Sequence, residues 1–112
     1  MNPHRGEISA ELDGRSCTLR LTLGALAELE AALGEGDLAA LVARFETGRF
    51  QARDLAAIIG AGLRGAGHAV SDEEVATMAT PDGVTGYVAI VSDLLTATFP
   101  PSRDRGDTKK NS

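Results

Sequence analysis

The stretch Glu7-Ile-Ser-Ala-Glu-Leu-Asp-Gly-Arg-Ser-Cys-Thr-Leu-Arg-Leu-Thr22 decides how this chain begins to fold. Apolar and polar residues alternate on both sides of Asp13-Gly14, and this dipeptide between two alternating runs is a strong signal for a two-residue hairpin turn. Such a turn pairs apolar with apolar residues and an acid with a base across the strands: Ile8 with Leu19, Ala10 with Cys17, and Glu7 with Arg20. A lone hairpin is only marginally stable in water, so its apolar face needs cover from the residues that follow.

Helical periodicity takes over after Thr22. Apolar residues recur three or four positions apart, bounded by capping residues and by glycine or proline stops. The predicted helices are 23–33, 38–47, 52–64, 71–79 and 83–99, with Thr22 and Asp37 as N-caps of the first two and a Ser71-x-x-Glu74 capping box on the fourth. The sequence therefore predicts an α+β fold, an N-terminal two-stranded β-hairpin followed by a compact bundle of four to five short helices.

Length and charge limit what the chain does. Its 112 residues predict one domain, 1–101, and a disordered polar tail, 102–112. Residues 1–101 hold seven arginines and no lysine against fourteen carboxylates. Such an acidic body repels phosphate backbones, so we expect no nucleic-acid partner. The weakly basic tail is predicted to be a solvating terminus; the alternative is contact with an acidic partner.

The sequence predicts neither a membrane segment nor an internal disulfide bond. Its apolar runs are shorter than the roughly 18 residues of a membrane span, and no apolar signal segment follows the N-terminus. We therefore expect a cytoplasmic protein. Cys17 is the single cysteine, so it forms no internal disulfide and is predicted to be a small core residue.

One segment matches a nucleotide-binding motif by its letters. Gly60-Ala-Gly-Leu-Arg-Gly65 has the G-x-G-x-x-G spacing, and Asp82 follows at a suitable distance. The motif works only between a strand and a helix whose N-terminus faces the phosphates. Here an amphipathic helix precedes it and a glycine-rich stretch follows. The favoured interpretation is that small residues let the third helix pack closely on a neighbour, and nucleotide binding is a remote alternative.

Other candidate chemistry is weaker. His4 and His68 are far apart and have no metal ligands at a suitable spacing, so no metal site is predicted. The acids at 72–74 fit the first turn of a helix, where the helix dipole favours negative charge. No nucleophile motif is present. We expect no enzymatic activity and no cofactor.

Several segments together resemble a known family. They are Asn2-Pro-His-Arg-Gly-Glu7, Leu19-Arg-Leu-Thr-Leu-Gly-Ala-Leu-Ala-Glu-Leu-Glu30, Arg44-Phe-Glu-Thr-Gly-Arg-Phe50, and Ala52-Arg-Asp-Leu55 followed by Gly62-Leu-Arg-Gly65. Over residues 2–99 the chain resembles the gene transfer agent family of small phage-tail proteins. These agents are domesticated tailed-phage particles of alphaproteobacteria.

The resemblance implies a function in tail assembly, inside the cytoplasm of the producer cell. It favours a tail assembly chaperone that binds the tape-measure protein and tail-tube subunits, with self-association left open. The alternative is a structural component of the tail tube. The family carries no catalytic motif to transfer.

A chaperone for a helical partner needs exposed apolar helix surface. The last helix is apolar over a wide arc, so either it is central to the bundle or part of it meets another protein. The predicted partner-binding residues lie on the first and last helices: Leu26, Leu29, Leu33, Tyr87, Ile90 and Leu94.

Overall fold

The computed structural model describes residues 6–33 and 38–99. Two strands precede five helices: β1 (Glu7–Leu12), β2 (Arg15–Arg20), α1 (Leu23–Leu33), α2 (Leu38–Glu46), α3 (Ala52–Gly65), α4 (Asp72–Ala76) and α5 (Val84–Thr98). The predicted α+β fold, a hairpin followed by helices, is confirmed. The predicted cap at Asp37 and the predicted disordered tail 102–112 lie outside the described residues.

The hairpin forms in the predicted register. β1 and β2 are antiparallel, with Glu7 opposite Arg20, Ile8 opposite Leu19 and Ala10 opposite Cys17. Both turn residues have a positive φ, 54° at Asp13 and 77° at Gly14. A two-residue turn with the same twist as the strands requires that left-handed conformation, which glycine and aspartate tolerate better than most residues.

Helix α3 is the centre of the molecule. It packs against β2, α1, α4 and α5, and every residue from Asp54 to Leu63 except Ala56 is buried. The glycines of the G-x-G-x-x-G segment make these approaches close. A Cβ on Gly62 would lie 2.7 Å from Leu94 Cδ2, and one on Gly65 would overlap the backbone carbonyl of Arg20. The packing interpretation of the motif is therefore confirmed.

The hydrophobic core lies between the inner face of the hairpin and the helices that cover it. Its largest fully buried side chains come from both strands and from four of the helices: Leu12, Leu19, Leu29, Ile58, Ile59, Leu63, Val75, Val91 and Leu94. Burying side chains of this size contributes roughly 1.5–3 kcal/mol each before chain entropy is subtracted. Cys17 lies half-buried against this core, as a small packing residue.

Local signals set most helix ends. The Thr22 hydroxyl accepts a hydrogen bond from Ala25 N at 3.1 Å, so Thr22 caps α1 as predicted. Ser71 and Glu74 form the predicted capping box on α4. However, α4 ends at Ala76 rather than near Ala79. The backbone N–H of Ala79 instead donates to Asp13 Oδ1 at 2.9 Å, and its carbonyl accepts from Asp13 N at 2.8 Å.

Among residues 6–33 and 38–99, no helix combines the length and the apolar character that crossing a bilayer demands.

Candidate interaction surface

Three of the predicted partner-binding residues belong to the core. Leu29 is 1% exposed, Ile90 8% and Leu94 0%. Their exposure on the folded monomer was the premise of the prediction, and that premise is wrong for these three. The reason is topological: the hairpin and α3 both pack against α5, and α3 covers one face of α1, so these side chains face inward.

Of the other three predicted residues, the structure describes the side chains of two. Leu26 and Tyr87 are half-buried and pack against the edge of the core. Leu33 is the last residue of α1, and its side chain lies outside the described part of the structure. The second half of α5 is central to the bundle, because Ile90, Val91, Leu94 and Leu95 are buried there.

The exposed apolar side chains are different ones. Leu23 is 84% exposed and Val84 is 70% exposed, while Phe99 is exposed at the end of α5. Leu23 and Val84 occupy the same position in their helices, the first residue after the N-cap. The first position of a helix lies at its free end, so it reaches past the neighbouring elements.

An apolar cavity opens beside Val84, between the N-terminal parts of α3 and α5 and the helix α4. It has a volume of about 140 Å³ and is lined by Ala52, Leu55, Ala56, Val75, Ala76, Val84 and Tyr87. A shallower depression shares Ala52, Ala56 and Ala76 with it and extends to Ala32, Arg53, Asp72 and Glu73. We call these two together the alanine cavity. Its floor is made of methyl groups and its outer rim is charged.

A second depression separates α2 from the last turns of α5. It is lined by Val42, Phe45, Glu46, Ser92, Leu95, Thr96 and Phe99, with a volume of about 360 Å³. The Phe45 ring stacks on Phe50, with centroids 4.9 Å apart. The lining mixes aromatic, hydroxyl and carboxylate groups, so it is less uniformly apolar than the alanine cavity.

Arg64, near the C-terminal end of α3, links three helices. Its guanidinium donates to Glu28 Oε1 of α1 at 2.8 Å, to Asp72 Oδ1 of α4 at 3.1 Å and to the Val70 carbonyl at 2.9 Å. The hydrogen bond to Glu28 is the largest cause that raises the pKa of Arg64 above its ordinary value, with Asp72 adding to it. The residues are partly exposed, so this network positions helices more than it stabilises them.

Asp54 joins α2 to α3. Its side chain is almost fully buried. Oδ2 accepts from Gln51 N at 2.8 Å, which caps α3, and from Arg44 Nη2 of α2 at 3.1 Å. A buried carboxylate is tolerable because both a backbone donor and a guanidinium satisfy it.

Tyr87 marks where the hairpin turn approaches α5. Burial of the phenol raises its pKa above the ordinary 10.0, and the negative charge of Asp13 raises it further. Tyr87 is therefore neutral at physiological pH, and it is one of the residues that line the alanine cavity.

The arrangement does not offer a phosphate site at the glycine motif. Gly60, Gly62 and Gly65 lie inside α3 or at its last residue, where backbone N–H groups are used by the helix itself. Within the part of the chain that the structure describes, no cluster of three His, Cys, Asp or Glu residues is placed to hold a metal ion.

Comparison with protein families finds a match over residues 5–100. The matching family is described as phage tail tube protein, GTA-gp10. Comparisons with curated proteins and with solved structures gave no match. The family match spans both strands and all five helices, so the chain belongs to the GTA-gp10 phage tail tube protein family.

Proposed function

We propose that this chain is a structural subunit of the tail tube of a gene transfer agent particle and carries out no reaction. The observation that carries the proposal is the match of residues 5–100 to the tail tube family. Membership implies contact with other tail proteins. The proposed partners are further copies of the same chain and the neighbouring tail components.

The surface supports an assembly role. A subunit of a polymer needs apolar contacts that stay exposed on the isolated monomer, and Leu23 and Val84 are both exposed. The acidic body, with its excess of carboxylates over arginines, keeps the free subunit soluble before assembly.

Quantitative mass spectrometry of purified particles tests the proposal. A tube is built from many copies, so we expect this chain in a copy number comparable to that of other repeated tail components. Particles that contain no trace of it, while producer cells contain it in quantity, would overturn the tube assignment.

A second candidate is a tail assembly chaperone that binds the tape-measure protein in the producer cell. One observation favours it: the sheet in residues 6–33 and 38–99 has only two strands, whereas tube-forming subunits are generally β-rich. A chaperone would leave before the particle is complete. It would therefore co-purify with a tape-measure fragment and be absent from particles, which is the reverse of the tube outcome.

A further inference from the structure

We propose that Leu23 of one copy inserts into the alanine cavity of the next copy, so that the chain assembles head to tail. This inference rests on the proposed tube function, because a tube requires each subunit to contact its neighbours through repeated surfaces. The occupant of the cavity is thus a second copy of this chain.

The two surfaces lie at opposite ends of α3. A Cβ on Gly65, the last residue of α3, would be 3.4 Å from Thr22 N, so α1 begins beside the C-terminal end of α3. The apolar part of the alanine cavity includes Ala52 and Leu55, in the first turn of α3, whereas its charged rim extends to Asp72, which Arg64 contacts. With 14 residues, α3 is about 20 Å long at 1.5 Å per residue. Leu23 and the apolar part of the cavity are therefore separated by about the length of α3.

Two different surfaces at opposite ends favour a heterologous contact. When a patch binds itself, two copies close into a dimer and assembly stops. When a patch binds a different patch, each added copy leaves a free surface, and the result is a ring or a filament. Leu23 on α1 and the cavity between α3, α4 and α5 are such a pair.

The chemistry of the two surfaces is complementary. The leucine side chain is apolar, and methyl groups form the floor of the cavity. The first turn of α1 carries no acidic side chain, so it presents the positive end of the helix dipole. The first turn of α4 carries Asp72, Glu73 and Glu74. Asp72 and Glu73 line the rim of the cavity beside Arg53, so acidic side chains outnumber basic ones there.

Two single variants test the contact from its two sides. Leu23→Asp removes the protruding side chain, and Val84→Asp places a carboxylate at the mouth of the cavity, where an incoming leucine would have to desolvate it. Both residues are exposed and both begin a helix, where aspartate is favourable for the dipole. We therefore expect both variants to fold. Ala31→Asp on α1 and Thr85→Asp on α5 are matched controls, because they add the same charge at exposed positions outside the contact.

Sedimentation of the full chain over rising concentration is the measurement. The wild-type protein and both controls should rise in average mass above the 11.6 kDa monomer, and each variant alone should stay at the monomer mass. An equimolar mixture of the two variants should form a 1:1 complex of twice that mass, because the intact Leu23 of one meets the intact cavity of the other.

Other outcomes overturn the proposal. If Leu23→Asp blocks association and Val84→Asp does not, Leu23 packs on itself in a closed dimer. If the wild-type chain stays monomeric up to millimolar concentration, the surface receives a different protein. Absence of the chain from purified particles would overturn the proposed tube function. That result is distinguishable from both sedimentation outcomes above.

Discussion

Helices α3 and α2 show how unevenly this small domain is held together. Helix α3 is buried along most of its length and contacts β2, α1, α4 and α5. Helix α2 packs only lightly on the other described elements. It is attached through buried Leu41, through the Phe45–Phe50 ring stack and through the Arg44–Asp54 ion pair.

The difference shows where stability and adaptability reside. Elements with few buried contacts open locally at a lower free energy than the global unfolding of the domain. We therefore expect α3 and the hairpin to behave as one cooperative unit, and α2 to open without them. Leu23 and Val84 belong to helices outside α2, so we expect the proposed assembly not to depend on α2.

The largest expected effect is on the free energy of unfolding, and it comes from adding a side chain where α3 contacts β2. A Cβ on Gly65 would overlap the Arg20 carbonyl, which is backbone and does not yield as a flexible side chain would. Gly65→Ala should lower the free energy of unfolding by about 3 kcal/mol, at the upper end of typical overpacking costs. Denaturant unfolding followed by circular dichroism measures it.

Gly24→Ala is the matched control. Gly24 is an exposed glycine in α1, and the nearest atom to an added Cβ is Thr22 Oγ1 at 3.8 Å. Alanine should therefore stabilise the protein by about 0.5–1 kcal/mol through helix propensity alone. Equal effects of the two substitutions would show that α3 does not contact β2 as closely as described.

A smaller and local effect is expected from cutting the link between α2 and α3. Asp54→Ala removes the cap of α3 and the partner of Arg44. Amide hydrogen exchange should show protection in α2 falling by about 2 kcal/mol, the usual size for a lost hydrogen bond to a charged group.

Protection in the middle of α3, around Ile59, should fall less than protection in α2. Glu46→Ala, at an exposed position of α2, should change exchange by less than about 0.5 kcal/mol. If α2 and α3 lose protection equally in the Asp54 variant, they form one unfolding unit and the contrast between them fails.

The smallest expected effect is on the pKa of Tyr87, which lies where the hairpin turn approaches α5. The chain has one tyrosine and no tryptophan, so ultraviolet absorbance of the tyrosinate reports this residue alone. Its titration midpoint should lie above pH 10.0. Because the pKa is raised in the folded state, the associated stability is present below pH 10 and is lost as pH rises through the folded-state pKa.

Asp13→Asn separates the two causes. Asparagine keeps the Oδ1 acceptor for Ala79 N and tolerates the positive φ, but it removes the charge. The midpoint should move down toward 10.0 and remain above it, because burial is the larger cause. An unchanged midpoint would mean that the hairpin turn does not approach Tyr87.

The sequence predicts those parts of the fold that local chemistry determines. The Asp13-Gly14 turn fixes the strand register, and the caps at Thr22 and Ser71 fix the starts of α1 and α4. The sequence predicts that α4 ends near Ala79, beyond its observed end at Ala76. Ala79 instead hydrogen-bonds to Asp13, which is 66 positions away in the chain. No local pattern encodes such a pairing.

The candidate surface was harder to predict for the same reason. Periodicity identifies an apolar helix face, but only the tertiary arrangement decides which face is covered. The pattern predicts Leu29, Ile90 and Leu94 on the surface, but the structure buries them. Leu23 and Val84 are not among the predicted surface residues; in the structure each directly follows the N-cap of its helix, Thr22 and Gly83.

Cysteine cross-linking inside purified particles tests the central claim, a tail subunit joined head to tail, most directly. In a Cys17→Ala background, a chain carrying both Leu23→Cys and Val84→Cys is treated with a short bismaleimide. The account predicts a ladder of dimers, trimers and longer products from the double variant, and monomers from each single variant. Dimers from one single variant alone, or particles in which the double variant stays monomeric, would contradict it.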